Sequence, residues 1–493
     1  MRVRIGKGNK KLKYHAGRVE LFRAVGYALG VGLVVAFAAY GFLRLITPTS
    51  DVKAAPIDIT RVALTVVAGV GGVVALVIAY RRQRDLEQNR FVERFGAAAA
   101  QLGATDVAVR IAGVYAMAGV ADETDELRRQ QCIDVLCGYL RLPYDATQGD
   151  SGRTKLVTTT PRRTADDQPN GEIEEHVEYR QNDREVRQTI VRVIADHLQP
   201  EAEYSWSTSN FDFRTAHLED ADFADAVFSG AARFDDATFT GTAEFHNATF
   251  TNTARFKNAT FNGVAVFNDA SFARTAWFDG VTFASTAWFS KAMFTGTARF
   301  HKAAFVSLAW FGDAIFAGEA WADGARFTDD ARFDSTSFTG LARFAGVTFS
   351  SEAWFHEATF TSGARFTAAT FTGTARFDRA TFTGTAGFNG ATFTSTARFH
   401  QVTFLSDARF DEARFTGHIE FLKTAFTSSA RFRQATFAGL TKFTKTDFGS
   451  EQISFSRPRQ WGPPPPVFDW DHNIAEKPAN VEPQDWPPAV VPI

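Results

Sequence analysis

A chain of 493 residues with 45% hydrophobic content and two cysteines can bury more than one core, but it has too few thiols for a disulfide framework or a four-thiolate zinc site. The formal net charge of −2 is unevenly spread: residues 1–90 carry 15 Lys and Arg against 5 Asp and Glu, which leaves −12 on the remainder. A basic start of this kind points to an anionic membrane surface or nucleic acid, whereas 50 Phe residues call for an architectural explanation.

Residues 1–23 are read as a basic cytoplasmic N-terminus. Residues 24–43 read AVGYALGVGLVVAFAAYGFL and residues 62–80 read VALTVVAGVGGVVALVIAY, neither with a charge. These lengths match the ~20 residues that cross bilayer hydrocarbon, so the sequence predicts membrane helices over 24–46 and 62–80. A buried globular helix pair is the alternative. Cations from Arg2 to Arg23 precede the first run, and Arg81, Arg82, Arg84 and Arg90 follow the second. The loop between holds only Arg44, Lys53 and Arg61 beside Asp51 and Asp58. The positive-inside rule then places both termini, and everything after residue 80, in the cytoplasm.

Residues 85–142 predict a helical neck. Phe91, Phe95, Ala99 and Leu102 share one helix face, and Val107–Val120 is apolar apart from Arg110. Leu127, Cys132, Val135, Leu136, Tyr139 and Leu140 recur at helical spacing, with Asp122 as the expected N-cap. Cys132 and Cys137 read as reduced, buried helix residues. Residues 143–182, rich in Thr, Asp, Gly and Pro, predict a flexible linker. Residues 183–200 then predict an amphipathic helix leading into a repeat region.

From Phe228, every eleventh residue to Phe448 is Phe, 21 positions without a miss. From Phe234 to Phe443 the same step meets Phe at 19 of 20 positions, with Ala322 the exception. Two residues earlier stands Ala in 15 of the first series and 18 of the second. Gaps of five and six cannot hold one face of a helix, but residues i and i−2 share one face of a strand. Ala and Phe therefore point inward together from short strands joined by corners, and a fixed period of this kind winds into a solenoid. Large Phe stacks on the Phe of the next coil, and thinner packing is expected between Phe300 and Phe344, beside Ala322.

The first units are stricter: Ala216-His-Leu218, Ala221-Asp-Phe223 and Ala226-Val-Phe228 recur every five residues. Here the sequence resembles the pentapeptide-repeat proteins, and the resemblance covers residues 211–448. It implies a right-handed quadrilateral β-helix with four sides per coil. One residue is added to every second unit, so a four-sided coil has 22 residues; a two-sided coil of 11 is the alternative. Residues 449–493 are expected to cap the far end with Trp461, Phe468 and Trp470, followed by an extended or disordered proline-rich tail from Pro463.

Catalytic motifs are missing from the sequence. Gly69-Val-Gly71-Gly72 lies in an apolar run and lacks the last glycine of a dinucleotide fingerprint, and neither HExxH nor G-x-S-x-G occurs. Carboxylates such as Asp235, Asp236, Asp329 and Asp330 fall at corners, where Asp favours turns. No enzyme activity, cofactor or metal is expected.

The residue before each second-series Phe must point outward, which puts Arg299, Trp321, Arg343 and Trp277 in one column and Trp288, Trp310, Arg332 and Trp354 in another. Trp and Arg together have the composition of a binding hot spot; equally, they can stack on one another as a structural ladder. The whole arrangement looks like bacterial membrane-anchored pentapeptide-repeat proteins. The two spans, their basic flanks and the rod together lead to the expectation of a multi-pass protein of the bacterial inner membrane whose cytoplasmic β-helix acts as a scaffold for an unidentified protein partner. Self-association stays open. Some relatives imitate duplex DNA to modulate a topoisomerase, but residues 211–448 hold 22 Lys and Arg against 24 Asp and Glu. A nucleic-acid partner is not expected. Paired threonines such as Thr359 with Thr361 and Thr370 with Thr372 suit exposed strand positions and do not require a surface-binding role.

Overall fold

The structure is a computed structural model that describes residues 56–146, 155–163, 169–178 and 183–491, together with single positions 30, 34, 37, 38 and 41. The chain divides into two compact units, residues 1–93 and 94–493. Helix α1 spans Pro56–Leu102. Among the described residues no helix is long and apolar enough to cross a membrane. Apart from those single positions, the expected span at 24–46 lies outside the described residues. The expected span at 62–80 falls within α1, where several side chains are likewise outside them.

In the second unit, α2 (Val107–Asp122), α3 (Glu126–Leu140) and α4 (Asp183–Leu198) form a small helical block. The expected N-cap Asp122 is replaced by Asp125, whose carboxylate accepts from the Arg128 N–H at 3.0 Å. Asp106 caps α2 in the same way, accepting from Ala108 at 2.7 Å. Asp122 is the last residue of α2, and its carboxylate instead accepts from the indole of buried Trp206 at 2.8 Å. Leu127 is 72% exposed, because α3 turns Ile133, Leu136, Cys137 and Leu140 inward. Both cysteines are free and buried, and burial pushes the Cys132 thiol to about 11 and the Cys137 thiol to about 12.

Arg110 is completely buried and ion-paired. Its guanidinium reaches Asp183 at 2.6 Å and the Tyr139 hydroxyl at 3.0 Å. Arg187 bonds the second Asp183 oxygen at 2.7 Å and the Leu140 carbonyl at 2.9 Å. One carboxylate thus joins all three helices, and a buried charge of this sort is tolerated only when paired.

The region expected as a flexible linker carries an antiparallel ribbon, β1 (Lys155–Arg163) against β2 (Pro169–Glu178), with Thr159 opposite Glu174. Threonine suggests a linker when it is counted as polar, but it is β-branched. In the run Val157-Thr-Thr-Thr160 it favours extended pairing.

The rest is a right-handed β-solenoid of about 12 turns. Four parallel sheets of 13, 12, 11 and 10 strands make its faces. Face 1 includes Ala232–Arg233 and Ala254–Arg255, face 2 Thr238–Thr240, face 3 Ala243–Glu244, and face 4 Thr249–Phe250. Ala254 pairs with Ala232 below and Ala276 above, so one coil is 22 residues. This settles the geometry in favour of the four-sided coil. In the Ala-led strands of faces 1 and 3 the Ala is buried and the following residue is not, as at Ala254–Arg255, whereas on faces 2 and 4 the second residue is the buried one, as at Thr249–Phe250.

Four columns of Phe fill the core. Phe234 stacks on Phe256 at 4.8 Å and Phe245 on Phe267 at 4.9 Å, while neighbouring columns meet edge-on, as Phe256 does with Phe267 at 5.6 Å and 88°. The ring spacing matches the ~4.8 Å between strands, so hydrogen bonds and aromatic stacking share one repeat. Where Thr replaces an inward Ala, its hydroxyl is satisfied: Thr336 donates to the Phe311 carbonyl at 2.7 Å. One corner per eleven residues is left-handed, for example Asp236 at φ 58° and Gly280 at φ 68°.

Both ends of the stack are covered. At the start, Arg141 pairs with Asp212, Tyr144 with Glu219, and Arg184 with Glu219 at 3.1 Å. The cover therefore includes α3 and its following loop as well as α4. At the far end Phe468 stacks on Phe443 at 4.8 Å, Trp461 meets Phe437 at 5.2 Å, and Trp486 stands edge-on to Phe455 at 5.8 Å. The proline-rich tail, expected to be extended or disordered, instead adds Val481–Glu482 as the last strand of face 1. Its aromatic residues hold it on the open end of the core.

Candidate interaction surface

Two aromatic–cationic ladders run along opposite faces over overlapping stretches of the solenoid, 255–343 on face 1 and 288–376 on face 3. On face 1 the guanidinium of Arg299 lies 4.1 Å from the Trp277 ring and 4.9 Å from the Trp321 ring, with Arg343 4.9 Å beyond Trp321. Arg255 closes the lower end at 6.0 Å from Trp277. On face 3 Trp288 and Trp310 lie 5.5 Å apart, Arg332 sits 5.0 Å from Trp310 and 4.5 Å from Trp354, and Arg376 lies 4.0 Å above Trp354. Each ladder spans five consecutive coils, because successive members are 22 residues apart and in register.

All eight expected candidates (Trp277, Trp288, Trp310, Trp321, Trp354, Arg299, Arg332 and Arg343) lie on these ladders and are half-buried. Four are on each face, and the structure does not bring the two sets together. Arg255 and Arg376 extend the ladders; they stand in the same outward columns, so spacing alone marks them.

The two faces differ electrically. On face 1 each ladder Arg is tied to a carboxylate of the coil below: Arg255 to Asp235 at 3.0 Å, Arg299 to Asp279 at 3.0 Å and Arg343 to Asp323 at 2.7 Å. On face 3 Arg376 pairs with Glu352 at 3.3 Å. Arg332 rests between two indoles, and burial, the largest influence, raises the carboxyl of nearby Asp334, which Arg332 opposes. Above Arg376 the face continues as a shallow depression lined by His356, Asp378, Arg398 and His400. His400 bridges Asp378 at 3.2 Å and Glu420 at 2.8 Å. Burial alone would raise the Glu420 carboxyl, but His400 and His418 outweigh it and hold it low. Among the described residues no group of three or more His, Cys, Asp or Glu side chains is placed to hold a metal ion.

A four-sided stack of short parallel strands with Ala and Phe inside defines a quadrilateral β-solenoid. Within that class, residues 213–260, 245–293, 289–337, 333–381 and 377–424 match the family model described as pentapeptide repeats (9 copies), so the solenoid is built of pentapeptide repeats. The family is structural and typically non-enzymatic. No curated protein and no solved structure matches the chain.

Proposed function

We propose that this protein is a non-catalytic, membrane-tethered scaffold whose solenoid presents a fixed docking surface to a protein partner at the cytoplasmic face of a bacterial inner membrane. The tether rests on the two uncharged runs at 24–43 and 62–80 and their basic flanks. The docking surface rests on one observation: Trp288, Trp310, Arg332, Trp354 and Arg376 form an unbroken, half-exposed ladder on a face whose strands are held in register. Trp and Arg dominate binding hot spots, and side chains already stacked lose little further freedom on docking. The interior is lined by buried Ala and Phe, so docking of a protein partner falls to the outside.

Imitation of duplex DNA is disfavoured on charge. DNA carries about one negative charge per ~1.7 Å of axis. Ten coils at ~4.8 Å each would need close to thirty, against a net −2 over residues 211–448.

The test is affinity capture from membranes with the full chain, wild type against a variant in which Trp277, Trp288, Trp310, Trp321 and Trp354 are changed to Thr. The variant should keep its β circular-dichroism spectrum and lose the specific partner. Retention of every captured partner would make the ladders structural.

A further inference from the structure

We propose that the core of the solenoid contains a dry, phenyl-sized binding slot at Ala322, suited to a neutral monocyclic aromatic guest of benzene size. Ala322 is the one position of the second Phe series that lacks a ring. Its column is otherwise regular: Phe278 stacks on Phe300 at 4.9 Å and Phe344 on Phe366 at 5.0 Å. Phe300 and Phe344 are two coils apart, so their faces bracket room for one ring at the normal stacking distance from each.

The surrounding coils have not collapsed into that room. Ala320 and Trp321 keep register with Ala298 and Arg299 below and with Ala342 and Arg343 above. The Ala322 N–H still donates to the Arg343 carbonyl at 2.7 Å. The opposite column runs past undisturbed, with Phe289, Phe311, Phe333 and Phe355 each 4.9 Å from the next. Backbone hydrogen bonds set the coil spacing, and one missing side chain cannot shorten it.

Residual accessibility maps the same void. Phe300 is 4% exposed, Phe333 3%, and Phe311, Phe316, Phe327 and Phe344 2% each. Ala320 is 5% and Ala322 7% exposed. Phe256, Phe278, Phe366 and Phe388 of the same column are all 0% exposed. The six rings that a phenyl group at 322 would touch are therefore the ones left partly uncovered.

The chemistry of the guest follows from the lining. The walls are aromatic faces and edges, and the nearby amides are committed to the ladder, so a water there lacks the two to four polar partners that would hold it. Apolar cavities of about 150 Å³ stay dry and take up benzene or xenon. A planar ring would stack between Phe300 and Phe344 and receive the edges of Phe311 and Phe333, the geometry Phe366 adopts in the same column. A hydroxyl or charge on the guest would be stranded without a partner, which selects against phenols and ionic aromatics.

The test uses the full-length protein with benzene as the probe. Benzene should raise the melting midpoint of the wild type in a saturable way, and phenol should not. Ala322→Phe should raise the midpoint on its own and abolish the benzene response, which separates the slot from partitioning into any detergent present. An equal response in wild type and Ala322→Phe would overturn the proposal. So would a lowered midpoint in well-folded Ala322→Phe, since the ring would then have no space. Should that variant fail to fold, fluorobenzene followed by fluorine NMR on the wild type decides. Line broadening reversed by benzene and lost in Ala322→Leu supports the slot, and broadening unaffected by either refutes it.

Discussion

Replacing Phe377 by Ala tests the physical account of the core most directly. The ring is fully buried. It stacks on Phe355 at 4.9 Å and Phe399 at 5.0 Å, and meets Phe366 and Phe388 edge-on at 5.6 Å each. Truncation removes these contacts together with those to Phe371 at 6.0 Å and Phe382 at 6.3 Å, and opens a cavity. Phe→Ala in a packed core costs about 3–5 kcal/mol, depending on how far the walls relax. Relaxation is limited here, because the Phe355 N–H donates to the Arg376 carbonyl at 2.6 Å and the Phe377 N–H to the Arg398 carbonyl at 2.8 Å. Those bonds fix the coil spacing whether or not the ring is present, so the upper half of the range, about 4–5 kcal/mol, is expected. The assay is guanidinium unfolding of the purified full chain, with the β signal tracked by far-ultraviolet circular dichroism. Exposed Thr361→Ala is the control. The midpoint should fall with an unchanged slope, since a changed slope would signal an altered denatured state or a loss of two-state behaviour. A loss below about 1 kcal/mol would show that coil spacing is not held independently of the rings, and the reasoning about Ala322 would fall with it.

Particular groups carry further expected outcomes. Asp183→Ala strands the buried cations of Arg110 and Arg187 and should destabilise the helical block by about 3–5 kcal/mol, read as a separate early loss of helical signal while the β signal persists. Ala368 holds φ 54° at a corner where most alternatives are Gly or polar residues; Ala368→Gly should stabilise by about 0.5–1 kcal/mol in denaturant titration, the left-handed strain outweighing the added chain entropy. Arg214 chiefly holds the Asp212 carboxyl down at about 2, with Arg141 also contributing. Since this folded value lies below the unfolded one, its stabilisation is present above about pH 4 and fades as pH falls through 2. Asp212→Asn should flatten the acid limb of the stability curve in that window, by a small amount because the pair is partly solvent-screened. Reporter fusions at residue 55 and at the C-terminus should report opposite sides of the membrane, with the C-terminus cytoplasmic; a C-terminal fusion active only outside the cell would overturn the tether's orientation.

The sequence by itself determined the solenoid, its inward Ala–Phe pairs and its outward Trp and Arg columns, because strand alternation and an eleven-residue period are local facts. It could not choose between coils of 11 and 22 residues: both place Phe inward with the same period, and only the pairing of Ala254 with Ala276 decides. Arg110 reads as a solitary charge in an apolar helix because its partner Asp183 is 73 residues away. Asp122 reads as a cap because a local rule cannot foresee that Trp206, 84 residues on, claims its carboxylate. The tail misleads for a related reason. Proline content argues against regular structure, but Trp461, Phe468 and Trp486 gain a binding surface once the last Phe coil exists to receive them. Periodicity is written within one repeat. Partners that meet across many residues, and the empty place left by Ala322, exist only once the coils are stacked at a spacing set by their hydrogen bonds.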